Sequence, residues 1–423
     1  MSPILGFQSA IDVSLFVIVF GAFLAVITKT GAFDAGVKVL VKKLNGREHL
    51  LIPIMMFIFS IGGTIFSVLE ETIVFYALLS AIMVALGMDT IVAAATILLG
   101  VGVGILGSTI NPFVVGSAVE SLSDGIIVNK VVIIVIGFAL WITSYIISVL
   151  FVMNYAKKVM KDKGSTFLSL QEQKAMEKRY GKKLLNEKIE FTGKQKLTLW
   201  VFGLSFLVLI LGFIPWDAFG IEFFLDKTGF LTGSSIGNWW FNEGTLWLLV
   251  VTILLCVING FNEKEIVNTF IDGANDMINV VLIIGVVRGV SVLIGQTYLD
   301  NYIIYTSKEI LNGMPAILYV PCNFIINLFL SILVPESSRI ASLSMPFMGT
   351  LTSQLGYSVE VNVMTLVAAN GLAKLISPTC GAIMGGLAIA RVEYPTWVKW
   401  SWRVVLYIGL ATLTILTLAM LIF

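Results

Sequence analysis

Charge is what this 423-residue chain has least of: 13% of its residues are Asp, Glu, Lys or Arg, and its net charge is +1. A soluble globular chain carries about 25%. That deficit excludes a soluble enzyme, a disordered segment and a nucleic-acid-binding domain. The near-zero balance also leaves no polybasic or polyacidic surface for a charged macromolecular partner. Histidine occurs once, at His49 in a basic stretch, which argues against a proton relay. The three cysteines, Cys256, Cys322 and Cys380, lie far apart in apolar runs and form neither a metal-ligand spacing nor a disulfide framework. With no nucleophile–base pair and no phosphate loop, the sequence reads as neither an enzyme nor a cofactor protein.

What it has instead is apolar residues: 57% are hydrophobic, and mean hydropathy is +0.96. A membrane-crossing helix needs about 20 of them in succession. Such runs occur near 11–28, 51–82, 90–119, 126–155, 198–214, 244–261, 276–296, 316–350, 360–391 and 402–423. They predict an all-α polytopic membrane protein. Runs 51–82 and 316–350 exceed one span and carry Gly, Pro, Ser and Glu near their midpoints, so they predict re-entrant helical hairpins. Irregular backbone at that depth must be buried in protein or line a cavity. Residues 1–10 lack the basic start of a signal peptide.

Basic residues orient the segments. Residues 156–197 hold 12 of the 27 Lys and Arg against five acidic residues, which makes this loop cytoplasmic. Lys38, Lys42, Lys43 and Arg47 mark a second cytoplasmic loop, and Arg391, Lys399 and Arg403 a third; only Lys130, Lys227 and Lys308 fall opposite. The first hairpin then enters from the cytoplasm and the second from outside. The 156–197 segment reads as a solvated linker, with an amphipathic surface helix as the alternative.

The linker separates two related halves, 1–155 and 198–423. Ser108 follows Gly87 by 21 residues and Ser377 follows Gly356 by 21, an offset of 269; Glu70 precedes Gly87 by 17, as Arg339 precedes Gly356. Ser108-Thr109-Ile110-Asn111-Pro112 and Ser377-Pro378-Thr379-Cys380-Gly381 are polar, proline-bearing breaks in apolar helices. Each half reads as hairpin, short link and broken helix, and the halves point in opposite directions. Inverted repeats with broken helices are the pattern of secondary transporters, in which free backbone groups and half-helix dipoles meet near the bilayer centre. Proline cannot donate a backbone hydrogen bond, which helps fix each interruption. The second half places a span at 244–261 before its Arg288 span; the first half has only ten residues before 11–28, so the repeat predicts a further helix ahead of it.

These residues resemble a known family. The stretch Gly62-Gly63-Thr64-Ile65-Phe66-Ser67-Val68-Leu69-Glu70-Glu71-Thr72-Ile73-Val74-Phe75-Tyr76 is similar to the hairpin signature of YfcC-like transporters. Gly107 to Phe113, Val287-Arg288-Gly289 and Leu387 to Val392 match as well. This family belongs to the anaerobic dicarboxylate carrier (DcuC) group of the ion transporter superfamily. The resemblance implies a homodimer in the cell membrane, with a fixed scaffold and a moving transport domain. It implies substrates ranging from four-carbon dicarboxylates to basic amino acids, including arginine/ornithine exchange. Its members also begin with an extra span and an external loop.

Charges within a bilayer cost at least about 2.5–3.5 kcal/mol each, so each is a functional candidate. Three are acidic (Glu70, Glu71, Glu336) and three basic (Arg288, Arg339, Lys374). Glu70 and Glu71 are consecutive and, at about 100° apart on a helix, cannot both face one point. One suits a guanidinium or ammonium substrate, the other a partner such as Arg288 or Arg339. Arg288 suits either a substrate carboxylate or a hairpin glutamate. Lys374 stands where the family commonly has asparagine; its ammonium would occupy or neutralise a cation site and favour sodium-independent exchange. The expected substrate-binding set is Gly63, Thr64, Glu70, Glu71, Ser108, Thr109, Asn111, Arg288, Glu336, Ser337, Ser338, Arg339, Asn370, Lys374, Ser377, Pro378 and Thr379. Asn323 and Asn327, at i,i+4, read as glue between helices. Glycines at 100, 102, 104 and 107 would let helices pack closely.

The leading reading is exchange of basic amino acids, arginine against ornithine, by moving-domain alternating access, without cofactor. A dicarboxylate carrier clamped by Arg288, Arg339 and Lys374 is the alternative. A channel fits two opposed hairpins less well.

Overall fold

The computed structural model describes residues 2–33, 35–36, 39, 48–67, 69, 72–109, 111–123, 125–181, 192–213, 216, 223, 228–229, 231–239 and 241–423. Among these, every regular element is a helix. The chain opens with α1 (Ser2–Ser9) and α2 (Ile11–Lys29). The run at 51–82 folds as two helices, α3 (Leu51–Phe66) and α4 (Ile73–Ala85). The next run is α5 (Thr90–Leu106), an interruption at 107–111, a wide turn at Pro112–Gly116 and α6 (Ser117–Glu120). Then come α7 (Lys130–Lys161), α8 (Leu170–Tyr180), α9 (Gly193–Phe213), α10 (Phe241–Asn259) and α11 (Glu263–Gln296). The chain ends with α12 (Leu299–Leu311), α13 (Ala316–Leu333), α14 (Ser337–Gln354), α15 (Val359–Ala373), α16 (Gly381–Ala390) and α17 (Tyr394–Ile422). Six of them, α2, α7, α9, α10, α13 and α17, are long and apolar enough to cross a membrane. This is an all-α polytopic membrane protein.

The core is the pair α5 and α15. Every residue of α5 is buried, and in α15 all but Glu360 are. Such all-round apolar helices need cover on every side, and neighbouring helices supply it. α3, α4 and α7 pack on α5; α13, α14 and α17 pack on α15; α5 and α15 touch each other. The two arms of each hairpin therefore straddle a central helix. Close approach is achieved with glycine: a Cβ on Gly104 would overlap the backbone of Ser60 and Thr64, and one on Gly371 the backbone of Leu106.

The central helices enter from opposite ends of α7. Asp89 caps α5, accepting from Val92 N at 3.1 Å, and its other oxygen accepts from Tyr155, near the end of α7, at 2.5 Å. Glu360, in the first turn of α15, accepts from Asn129 N, the N-cap of α7, at 2.8 Å. α7 has 32 residues, a length of about 48 Å at about 1.5 Å per residue. The C-terminal ends of α5 and α15 consequently meet between its ends, where Gly371 abuts Leu106. The links before them turn through Gly87 (φ +82°) and Gly356 (φ +72°), left-handed positions that suit glycine. Beyond the interruptions, α6 packs on α14 and α16 on α4. A second group comprises α1, α2, α10 and α11, with α9 on α10; α11 reaches across to α16. Phe16, Phe20, Phe23, Phe202, Phe206 and Phe241 interlock α2 with α9 and α10.

Among the described residues of the basic segment, α8 is docked rather than solvated. α8 carries a full capping box between Ser169 and Glu172. Glu172 is buried and accepts from Glu393 N (2.8 Å) and Thr396 Oγ1 (3.1 Å), while Tyr180 donates to Ile389 O (2.6 Å). Its docking uses polar groups beside the part-buried Met176, nearer the alternative reading, a surface helix, than a solvated link. Lys38, Lys42, Lys43, Arg47 and Lys227 lie outside the described residues.

Candidate functional site

Each helix interruption is stitched to a hairpin. At the first, α5 ends at Leu106 and the freed Gly107 carbonyl accepts from Thr64 Oγ1 at 2.8 Å. Thr109 N donates to Thr64 O at 3.3 Å. Asn111 is fully buried and works in two directions. Its Nδ2 donates to Ser67 Oγ (2.8 Å), Gly63 O (3.3 Å) and Ser108 Oγ (3.4 Å). Its Oδ1 accepts from Phe113 N (3.0 Å) and Val114 N (3.3 Å), which starts the wide turn at Pro112. A buried amide left without these partners would cost about 1–3 kcal/mol. Gly63, Thr64, Ser108, Thr109 and Asn111 thus form one cluster. Ser67, in a left-handed conformation (φ 57°) at the end of α3, belongs with them. Only its place at a helix end hinted at that. Glu70 and Glu71 lie outside the described residues.

At the second interruption Thr379 Oγ1 donates to Ile332 O, near the end of α13, and Ser377 Oγ donates to Thr379 Oγ1 at 2.7 Å while lying 3.4 Å from the same carbonyl. Lys374 is buried at the C-terminal end of α15, and its Nζ donates to Ser337 Oγ at 2.5 Å. Ser337 opens α14 and donates in turn to Asn370 Oδ1 at 2.8 Å. Among the described residues Asn370 Nδ2 has no hydrogen-bond partner. The N-cap of α14, Glu336, makes no side-chain cap bond. An ammonium, an unused amide donor and a helix N-terminus therefore converge, and all three favour an anion. Glu336 lies 3.7 Å from Arg288 of α11, joining this hairpin tip to the second helix group. Arg339 is part-buried one position after the exposed Ser338, and Pro378 is exposed. Of the residues expected in this half, Ser337, Asn370 and Lys374 share one cluster, Ser377 and Thr379 gather at Ile332 O, Arg288 meets Glu336, and Ser338 and Pro378 are exposed.

Asn323 and Asn327 hold helices together. Asn323 Nδ2 donates to Asn362 Oδ1 (2.6 Å) of α15; Asn327 Nδ2 donates to Asn323 Oδ1 (2.8 Å), while Asn327 Oδ1 accepts from Ser344 Oγ (3.3 Å) of α14. No group of three or more Asp, Glu, His or Cys among the described residues could hold a metal ion.

The family model described as C4-dicarboxylate anaerobic carrier, DcuC, matches residues 1–422. The chain belongs to the DcuC family. A Haemophilus influenzae relative, named only "Uncharacterized protein", is 30% identical over 400 residues, 94% of this chain and 73% of its own. An Escherichia coli K12 relative named "Putative basic amino acid antiporter YfcC" is 24% identical over 400 residues, 93% of this chain and 74% of its own. Among solved structures, Neisseria gonorrhoeae MtrF, from a class of antimetabolite efflux pumps, aligns over 98% of this chain and 82% of its own with TM-score 0.42 and 15% identity. Alcanivorax borkumensis YdaH, a transporter, aligns over 99% and 87% with TM-score 0.38 and 13% identity. As a DcuC-family member the chain is a membrane transporter, with a small-molecule substrate and a bilayer around it.

Proposed function

We propose that this transporter exchanges basic amino acids, arginine inward against ornithine outward, as a homodimer in the cell membrane. The observation that carries the reading is the Lys374–Ser337–Asn370 cluster at the start of α14. It offers a seat for the α-carboxylate that every amino acid has. Glu70 and Glu71, in the sequence of the first hairpin tip, supply the counter-charge for a guanidinium or ammonium at the other end. A relative's name mentions basic amino acid antiport, which agrees. The two halves act as inverted repeats: α5 and α15 enter from opposite ends of α7, and hairpins and broken helices move as a unit past α1, α2 and α9–α11. The Lys374 ammonium takes the place of a coupling cation, so exchange proceeds without sodium.

A dicarboxylate carrier is the second reading, favoured by the family's description and by the basic side chains of Arg288, Arg339 and Lys374. Proteoliposomes loaded with ornithine, succinate or nothing separate the two. Labelled arginine entering faster against internal ornithine, with or without sodium, supports the first; arginine indifference with succinate exchange supports the second. Glu70→Gln and Glu71→Gln are expected to abolish arginine exchange while leaving expression largely intact.

A further inference from the structure

A cavity lies apart from the two interruptions, on the side of the molecule that carries α8. It is an open cleft of about 480 Å³ between α2, α4, α11 and α16, with the end of α8 across its rim, and Asp272 and Arg391 are exposed at it. That size suits a small-molecule site. Leu24, Ile27, Leu78 and Met277 give it apolar walls, and five charged side chains line it: Lys29, Arg179 and Arg391, with Asp272 and Asp276. Three of the five are already engaged. Lys29 donates to Thr269 Oγ1 at 2.9 Å and lies 5.0 Å from the centre of the Phe261 ring. Arg179 pairs with Asp276 at 2.7 Å. Among the described residues, the side chains left without a hydrogen bond or ion pair are one carboxylate and one guanidinium. Asp272 stands on α11; Arg391 sits at the left-handed C-cap of α16 (φ 58°), on a different wall.

We propose that this cavity is an entry site for a zwitterionic amino acid on the α8 side. Arg391 takes the α-carboxylate as a two-pronged donor. Asp272 takes the α-ammonium, and the methylene stem of the side chain lies along Leu24 and Met277. A dicarboxylate would meet two aspartates, and a bare metal cation three cationic side chains, so neither matches the lining as a zwitterion does. The proposal rests on the amino-acid reading above and adds a site to it.

The test uses intact protein in proteoliposomes of known orientation, with the arginine concentration for half-maximal exchange measured from each side. Asp272→Asn and Arg391→Gln are expected to raise that concentration about tenfold or more on the α8 side, as loss of a charge-assisted contact does. The opposite-side value should change less than twofold. Asp272→Glu and Arg391→Lys keep the charges and should recover part of the loss, which separates ligand binding from folding. In a second measurement, Leu78→Cys in a Cys322→Ser background is labelled with a maleimide from the α8 side. Arginine should slow labelling and succinate should not. If wild-type protein exchanges arginine but neither charge variant shifts the α8-side value, or arginine leaves labelling unchanged, the entry site is refuted while the transport reading stands. If wild-type protein exchanges no arginine, both are refuted.

Discussion

A buried lysine must have its ammonium solvated by the protein, and Lys374 finds that at Ser337 beside Asn370. The C-terminal end of α15 adds negative partial charge there. Lys374→Asn removes the fixed cation and leaves the same polar groups. It is expected to make exchange depend on sodium, read as uptake with sodium exchanged for a large organic cation. Unchanged uptake with no sodium dependence would remove the proposed role. Asn111 belongs to the same scale. Asn111→Ala removes its bonds to the Gly63 carbonyl, two hydroxyls and two backbone N–H groups, so it should lower stability by about 1–3 kcal/mol, read as a fall in Tm in detergent. Both residues could be picked from sequence as polar groups in apolar runs, because burying them is costly. Their partners Ser337 and Ser67 come from another helix and are set by packing alone.

At the scale of elements, α8 is the surprise, since its polar composition suggested a solvated link. It rides on the α16–α17 corner through Glu172 and Tyr180 and reaches α11 through Arg179–Asp276. An exposed pair contributes about 0.2–1 kcal/mol, too little for the fold but enough to bias two arrangements of the helix groups. Arg179→Asp and Asp276→Arg should each alter exchange rate without lowering Tm, and the double swap should restore it; no rescue in the double variant would argue against the contact. Asp89 ties the start of α5 to Thr166, just after α7, at 2.6 Å. Burial pushes its carboxyl above the ordinary value of 3.8, and hydrogen bonds from Thr166, Tyr155 and Val92 lower it only in part. The folded protein thus holds this proton more tightly than the unfolded chain does. The group's contribution is complete below its ordinary value and is lost as pH rises through the raised one. Asp89→Asn cannot ionise, so its Tm relative to wild type should improve from acid toward neutral pH. A difference that stays constant with pH would contradict this.

For the whole molecule, the decisive fact is that two apolar helices are buried end to end inside a chain surrounded by lipid. Water does not drive helices together there, so close packing must, and small residues permit it. Gly104→Ala would press a methyl group into the backbone of Ser60 and Thr64, and is expected to cost about 1–3 kcal/mol, seen as lost Tm and lost monodisperse protein. Composition and run lengths determined that this is a polytopic helical membrane protein, because the cost of placing polar surface in lipid depends on the chain's own residues. The polar, proline-bearing segments at 108–112 and 377–379 likewise marked the helix interruptions, since proline and hydroxyls act locally on the backbone. Only tertiary structure decided that Thr64 satisfies Gly107, that Lys374 meets Ser337, that α8 docks, and that Asp272 and Arg391 share one cavity. Those pairings join residues 37 to more than 200 positions apart, and no local rule of sequence ranks one distant partner above another; packing does.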